Sequence, residues 1–188
     1  MAELVAHLKA NPGKLSYGHV GIGSTNHLTG ELFKLAAGLP ELVQIPYRGA
    51  GPVITDLMGG QIPIGVVACT PQSLGLHKAG KLRILAVTST KPLLAAPELP
   101  TVQQAGFAKV TNESTYGLLA PAGTPRPVIE KIASATRSLL KTAEYSQLMI
   151  EMGFEATPDS DAESFRKVLA DAVTFWEPLV KSLGVKID

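Results

Sequence analysis

The residues with the best claim to chemistry lie between Leu15 and Phe33, in the run LSYGHVGIGSTNHLTGELF. Gly18, Gly21 and Gly23 allow a tight turn with no Cβ in the way. Ser24 stands where a helix N-cap belongs, with Thr25 beside it and His27 three residues on. A strand that feeds a helix through glycines leaves backbone N–H groups pointing outward, and the helix dipole reinforces their positive end. Such a turn can hold a carboxylate or phosphate on its amides, its hydroxyls and an imidazole donor. The plainer role is an ordinary βα turn whose amides face water.

Two further turns have the same character. Arg48 and Gly49 follow the short apolar run Leu42–Tyr47, and Thr70 and Pro71 follow the run Ile62–Cys69. Open α/β sheets bind ligands beyond the carboxyl ends of their strands. Three polar, capped turns on one sheet edge describe one wall of a cleft for a small anion. Gly23, Ser24, Thr25, His27, Arg48, Gly49, Thr70 and Pro71 are therefore the candidate ligand-binding residues.

Other chemistries have weaker support. The four histidines form no metal-spaced pair, and no G-x-S-x-G elbow occurs. Gly21-Ile22-Gly23-Ser24-Thr25-Asn26 departs from the dinucleotide fingerprint at its third glycine, where Asn26 stands, and no phosphate-loop Gly-Lys-Ser follows. No cofactor and no metal are expected. Cys69 is the only cysteine, which excludes an internal disulfide, and its apolar run predicts a small buried hydrophobe.

The elements that must position these residues follow from periodicity. Ala2–Ala10 reads as a helix ended by Asn11-Pro12-Gly13, without the basic-then-apolar pattern of a leader. Leu28, Leu32, Leu35 and Ala36 recur at helical spacing after Ser24. Pro46 marks Leu42–Tyr47 as a strand end or edge. Gly49–Pro52 opens a helix closed by Gly59-Gly60. Ile62–Ala68 predicts a strand buried on both faces, Thr70-Pro71 a helix running to Gly80, and Leu82–Val87 another strand. This alternation predicts an α/β fold, a doubly wound Rossmann-like parallel sheet with right-handed crossovers. A loop over 88–100, a helical turn at Thr101–Ala105 and a strand at Tyr116–Ala120 follow.

From Pro121 the pattern is helical. Thr124 caps one helix, a second spans Ala143–Met152, and a capping box of Ser160 with Glu163 opens the third. The third carries a wide apolar stripe: Phe165, Val168, Leu169, Ala172, Val173, Trp176, Leu179, Val180 and Leu183. The organisation expected is a lobe over 1–120 and a helical segment over 121–188.

At 188 residues and 45% hydrophobic, the chain is long enough for a real core. A net charge of +1 with scattered Lys and Arg, and a single Trp, leave no nucleic-acid footprint. No apolar stretch approaches the ~20 residues of a membrane span.

The blocks YGHVGIGSTNHLTGELFKLAAG, IPYRGAGPVITDLMGGQI, AGKLRILAVTS, PTVQQAGF and YGLLAPAGTP, in that order, resemble the tripartite tricarboxylate transporter receptor family, the TctC or Bug proteins. The resemblance implies a periplasmic solute-binding protein, not an enzyme, with two α/β lobes closing on a carboxylated ligand for delivery to membrane permease subunits. Family members carry a signal peptide and most of a first lobe ahead of the point where Met1 stands. The resemblance thus covers the second lobe and the C-terminal helices, whose tail returns to the first lobe in the family. Many members have an acidic residue near the end of the third strand, where this chain reads Val66-Val67-Ala68-Cys69. Two other classes fit the residues: a Rossmann-like enzyme using Ser24 or His27 on an acidic small molecule, and a non-binding remnant. An uncovered apolar stripe on the last helix would favour a homo-oligomer through the C-terminal helices.

Overall fold

The computed structural model describes residues 1–184. In chain order the elements are α1 (Ala2–Ala10), β1 (Ser16–His19), α2 (Thr25–Ala37), β2 (Val43–Pro46), α3 (Ala50–Met58), β3 (Ile64–Val66) and α4 (Pro71–Lys78). A 3-10 turn at Ala108–Val110 precedes α5 (Arg126–Leu140), α6 (Ala143–Glu151) and α7 (Ala162–Leu183).

The sheet is parallel, with β1 between β2 and β3. Ser16 pairs with Val43 and His19 with Pro46 on one side, and Tyr17 with Ile64 on the other. The chain leaves β1 for one neighbour and crosses back for the other, so α2 and α3 cover opposite faces. Strand alternation makes this visible in two adjacent residues. A Cβ on Gly18 would come within 3.2 Å of Val53 of α3, whereas the Tyr17 ring lies against Gly30 of α2. The expected doubly wound α/β layer is therefore present.

Tyr17 sits in a core cluster with Leu8, Ala37, Leu39 and Leu42. A second cluster of Leu74, Val87, Ala96 and Leu99 lies under the loop that follows α4. The helices end as their residues dictate: α2 stops at Gly38, whose left-handed φ of 64° closes the last turn.

Several expectations are corrected. Leu82–Val87 is not a strand: Val87 makes an isolated bridge to Thr101, and the Ile84 N–H donates to His77 Nδ1 at 3.3 Å. Without that neighbour β3 is an edge, and its three residues are half-buried rather than enclosed on both faces. Tyr116–Ala120 is not a strand and has no regular secondary structure, with Leu118 71% and Leu119 77% exposed. Thr124 donates its hydroxyl to the Pro121 carbonyl, and Pro125 occupies the cap of α5. The capping box of α7 falls one residue later than expected, on Asp161 and Ser164. The Asp161 carboxylate accepts the Ser164 N–H at 2.8 Å, and those hydrogen bonds hold its pKa below the usual value.

The long helix α7 is covered unevenly. It packs on α2, and towards its C-terminal end Leu179 is buried and Trp176, Val180 and Leu183 are half-buried. Val168, Leu169 and Val173 on the same stripe remain exposed.

Candidate functional site

The β1–α2 turn is built around Ser24. Its backbone is extended, as an N-cap requires, and its Oγ accepts the His27 N–H at 3.2 Å. The same hydroxyl donates to the Gly21 carbonyl at 2.7 Å, which also accepts the Ser24 N–H at 3.2 Å. Gly23 donates its N–H to His27 Nδ1 at 3.2 Å. The amides of Gly23 and Ser24 are thus turned inward. Those of Thr25 and Asn26 have no protein acceptor among the described residues, and both residues are part-exposed. The outward donors of the turn therefore lie one step later than Gly23, at the first two positions of α2.

His27 is 4% exposed. Burial lowers its pKa, and the adjacent His19 lowers it further. The ring that accepts from Gly23 is neutral, and its remaining N–H is on Nε2. Beneath it lies His19, fully buried, with ring centroids 4.5 Å apart. His19 Nε2 meets Gln44 Oε1, and Nδ1 lies 3.3 Å from the Gly21 nitrogen and 3.0 Å from its carbonyl. Sequence reasoning passed over His19 and Gln44. The signal was a histidine at the last position of a strand, two residues before the turn glycine.

The second turn is tied to the first. Tyr47 donates its N–H to His19 O at 2.9 Å, and Gly49 donates to Val20 O at 3.3 Å. Gly49 caps α3 with φ 100°, which a side chain would strain. Arg48 is exposed, and no carboxylate pairs with it among the described residues. At the third turn Thr70 and Ser73 form a reciprocal capping box, with Pro71 at the first helical position. Gly153 is pressed against the Cys69 carbonyl, so the turn after α6 reaches this corner of the sheet. Burial pushes the Cys69 thiol up, which keeps it protonated and un-nucleophilic.

Because all three strands run the same way, the turns after β1, β2 and β3 share one sheet edge. The central one lies at the point where the chain switches direction. That is where a doubly wound sheet presents ligand-binding amides. Residues 1–185 match the family described as the tripartite tricarboxylate transporter family receptor. This chain belongs to that family. It is 29% identical to BugT of Bordetella pertussis over 187 residues, covering 98% of this chain and 56% of that protein. A solved structure described as a periplasmic transporter superposes with a TM-score of 0.88 at 34% identity, over 100% of this chain and 62% of the other. Another, R. palustris Rpa4515 with adipate, gives 0.83 at 28% identity, over 98% and 60%. The chain spans little more than half the length of BugT. The family and the fold are those of solute-binding proteins.

Proposed function

We propose that this chain is a lobe of a solute receptor that grips a small carboxylate and carries out no catalysis. The observation that carries the reading is the pair of unpaired amides, Thr25 and Asn26, at the switch point of a parallel sheet. They open a 13-residue helix whose dipole favours an anion there. Ser24 shapes the turn, Gly23 and His27 brace it, and Arg48 supplies a free cation at the neighbouring strand end. Gly49, Thr70 and Pro71 complete the wall. Residues 1–120 are assigned to the binding lobe, and 121–188 to a C-terminal segment that the family resemblance returns to the other lobe. Delivery to the membrane permease subunits of a tripartite transporter, in the periplasm, follows from family membership. No helix among the described residues is long and apolar enough to cross a membrane.

Calorimetry against succinate, adipate, malate and citrate tests the reading, with butylamine as a cationic control. Heat from at least one dicarboxylate and none from the amine is expected. Turnover of a bound acid would replace the receptor by an enzyme.

One further observation supports a second property. Val128, Ile129 and Ile132 of α5 are exposed, as are Val168, Leu169 and Val173 of α7. Uncovered apolar faces of this kind favour self-association through the C-terminal helices.

A further inference from the structure

We propose that His27 and His19 are positioning residues, a pair of buried imidazoles that hold the ligand turn in shape only while both rings are neutral. The proposal rests on the reading that this turn takes the carboxylate. The His27 ring fixes the turn through Nδ1, which accepts the Gly23 N–H at 3.2 Å, while the backbone N–H of the same residue donates to Ser24 Oγ at 3.2 Å as part of the N-cap. Accepting needs the Nδ1 lone pair, so protonation of that nitrogen turns an attraction into a clash of two donors.

His19 extends the same logic to Gly21. With its Nε2–H given to Gln44 Oε1, Nδ1 is the acceptor for the Gly21 N–H, 3.3 Å away. Once protonated, Nδ1 becomes a donor and its partner is the Gly21 carbonyl at 3.0 Å. That carbonyl already receives the Ser24 N–H and hydroxyl. A donor at His19 Nδ1 would therefore exchange the Gly21 N–H for the Gly21 carbonyl and compete with the N-cap. The two rings are 4.5 Å apart and both are buried, so a charge on one opposes a charge on the other.

The surroundings do not neutralise such a charge freely. From β1 the facing group is the Tyr17 phenol, which is neutral. From α2 they are Glu31 and Lys34, paired with each other, and Glu31 also accepts the Tyr17 hydroxyl. Gln44 of β2 is uncharged, and β3 carries no ionisable side chain. Lys109 of the 3-10 turn is exposed, and Glu177 and Lys181 of α7 form an exposed pair of their own.

Amide and imidazole NMR on the ligand-free chain tests the brace, from pH ~7.5 down to ~4.5, because burial moves His27 below the ordinary histidine value. The Gly23 amide resonance should move in step with protonation of the His27 ring and the Gly21 resonance with any protonation seen at the His19 ring, and His27 should carry its neutral-state proton on Nε2. His27→Asn leaves an acceptor near the Nδ1 position and should remove the pH step while keeping the Gly23 resonance close to its neutral position. His27→Leu should displace that resonance at every pH. Succinate or adipate affinity should fall by roughly tenfold or more beyond the fall seen with His27→Asn over the same range, a comparison that cancels the ligand's own protonation. Gly23 and Gly21 amides that stay still while the rings titrate, or a His27 protonated on Nδ1 at neutral pH, would overturn the brace even if carboxylates bind. A pH-dependent turn that binds no carboxylate at any pH supports the brace and overturns the ligand reading instead.

Discussion

The Tyr17 ring lies so close over Gly30 that a Cβ built on the glycine would stand 2.5 Å from Tyr17 Cζ. Tyr17 is 1% exposed and belongs to the central strand, so it has nowhere to retreat. Gly30 is thus where α2 comes down onto the sheet, which sets the height of the ligand turn at its N-terminus. Gly30→Ala gains at most ~1 kcal/mol of helix propensity and loses about 1–3 kcal/mol to overpacking, so net destabilisation is expected. Gly75 of α4 is the matched control, because a Cβ there meets open space. Gly75→Ala should stabilise by ~0.5–1 kcal/mol. Urea midpoints moving in opposite directions would confirm both.

The same tyrosine donates its hydroxyl to Glu31 at 2.7 Å. Tyr17→Phe leaves Glu31 with Lys34 at 3.1 Å but strips a partner from a nearly buried carboxylate. A cost of ~1–3 kcal/mol follows. Burial pushes the phenol pKa far above its ordinary 10.0, and the Glu31 hydrogen bond adds to the shift. The sign is that of an acid kept protonated by folding. Its contribution is complete below the unfolded value and drains away as pH rises past it. Wild-type stability should therefore fall above pH 10.0, and Tyr17→Phe should lose less across that window. Parallel slopes for the two proteins would count against the linkage.

What was legible in the sequence was local. Ser24, Gly38, Thr70 and Pro71 carry their capping chemistry in their own atoms, and the structure puts all four at helix ends. Apolar runs were read less well, because a strand needs a partner that no run can name. Leu82–Val87 has strand composition but meets α4 and the following loop, so only Val87 reaches a bridge. Tyr116–Ala120 finds no strand beside it among the described residues. In the candidate site the turn was foreseen but its donors were displaced. Gly23 is consumed by His27, a pairing across a turn that spacing alone does not reveal. The apolar stripe on α7 reads as one face, but only tertiary packing decides that Leu179 is covered and Val173 is not.

Ligand contact can be probed without disturbing that brace. Thr25 is the first residue of α2, its N–H has no protein partner, and Ser24 before it is already extended at ψ 156°. Proline fits such a position, so Thr25→Pro should fold normally while removing one donor. Carboxylate affinity should fall by about 1.5–3 kcal/mol, the worth of a charge-assisted contact. Arg48→Ala should weaken binding as well, and the difference from wild type should shrink as salt rises. Unchanged calorimetric affinity in both variants would move the site away from this edge.

Uneven covering of α7 separates a folding role from an association role within one stripe. Leu179 is 7% exposed, on a helix that packs against α2. Leu179→Ala should therefore cost ~2–5 kcal/mol wherever the chain is studied, monomer or not. Val168 and Val173, nearer the start of the same helix, are 40% and 64% exposed, and the apolar side of α5 is also uncovered. If these faces meet in a second copy, each large side chain removed from water contributes up to about 1.5–3 kcal/mol. Val168→Asp with Val173→Asp should then shift sedimentation from an oligomer to a monomer and leave the unfolding free energy of the dissociated chain within ~0.5 kcal/mol of wild type. A wild-type chain that sediments as a monomer across the micromolar range would refute association through this face. Loss of fold in the double variant would show instead that the exposed half of α7 packs on its own lobe.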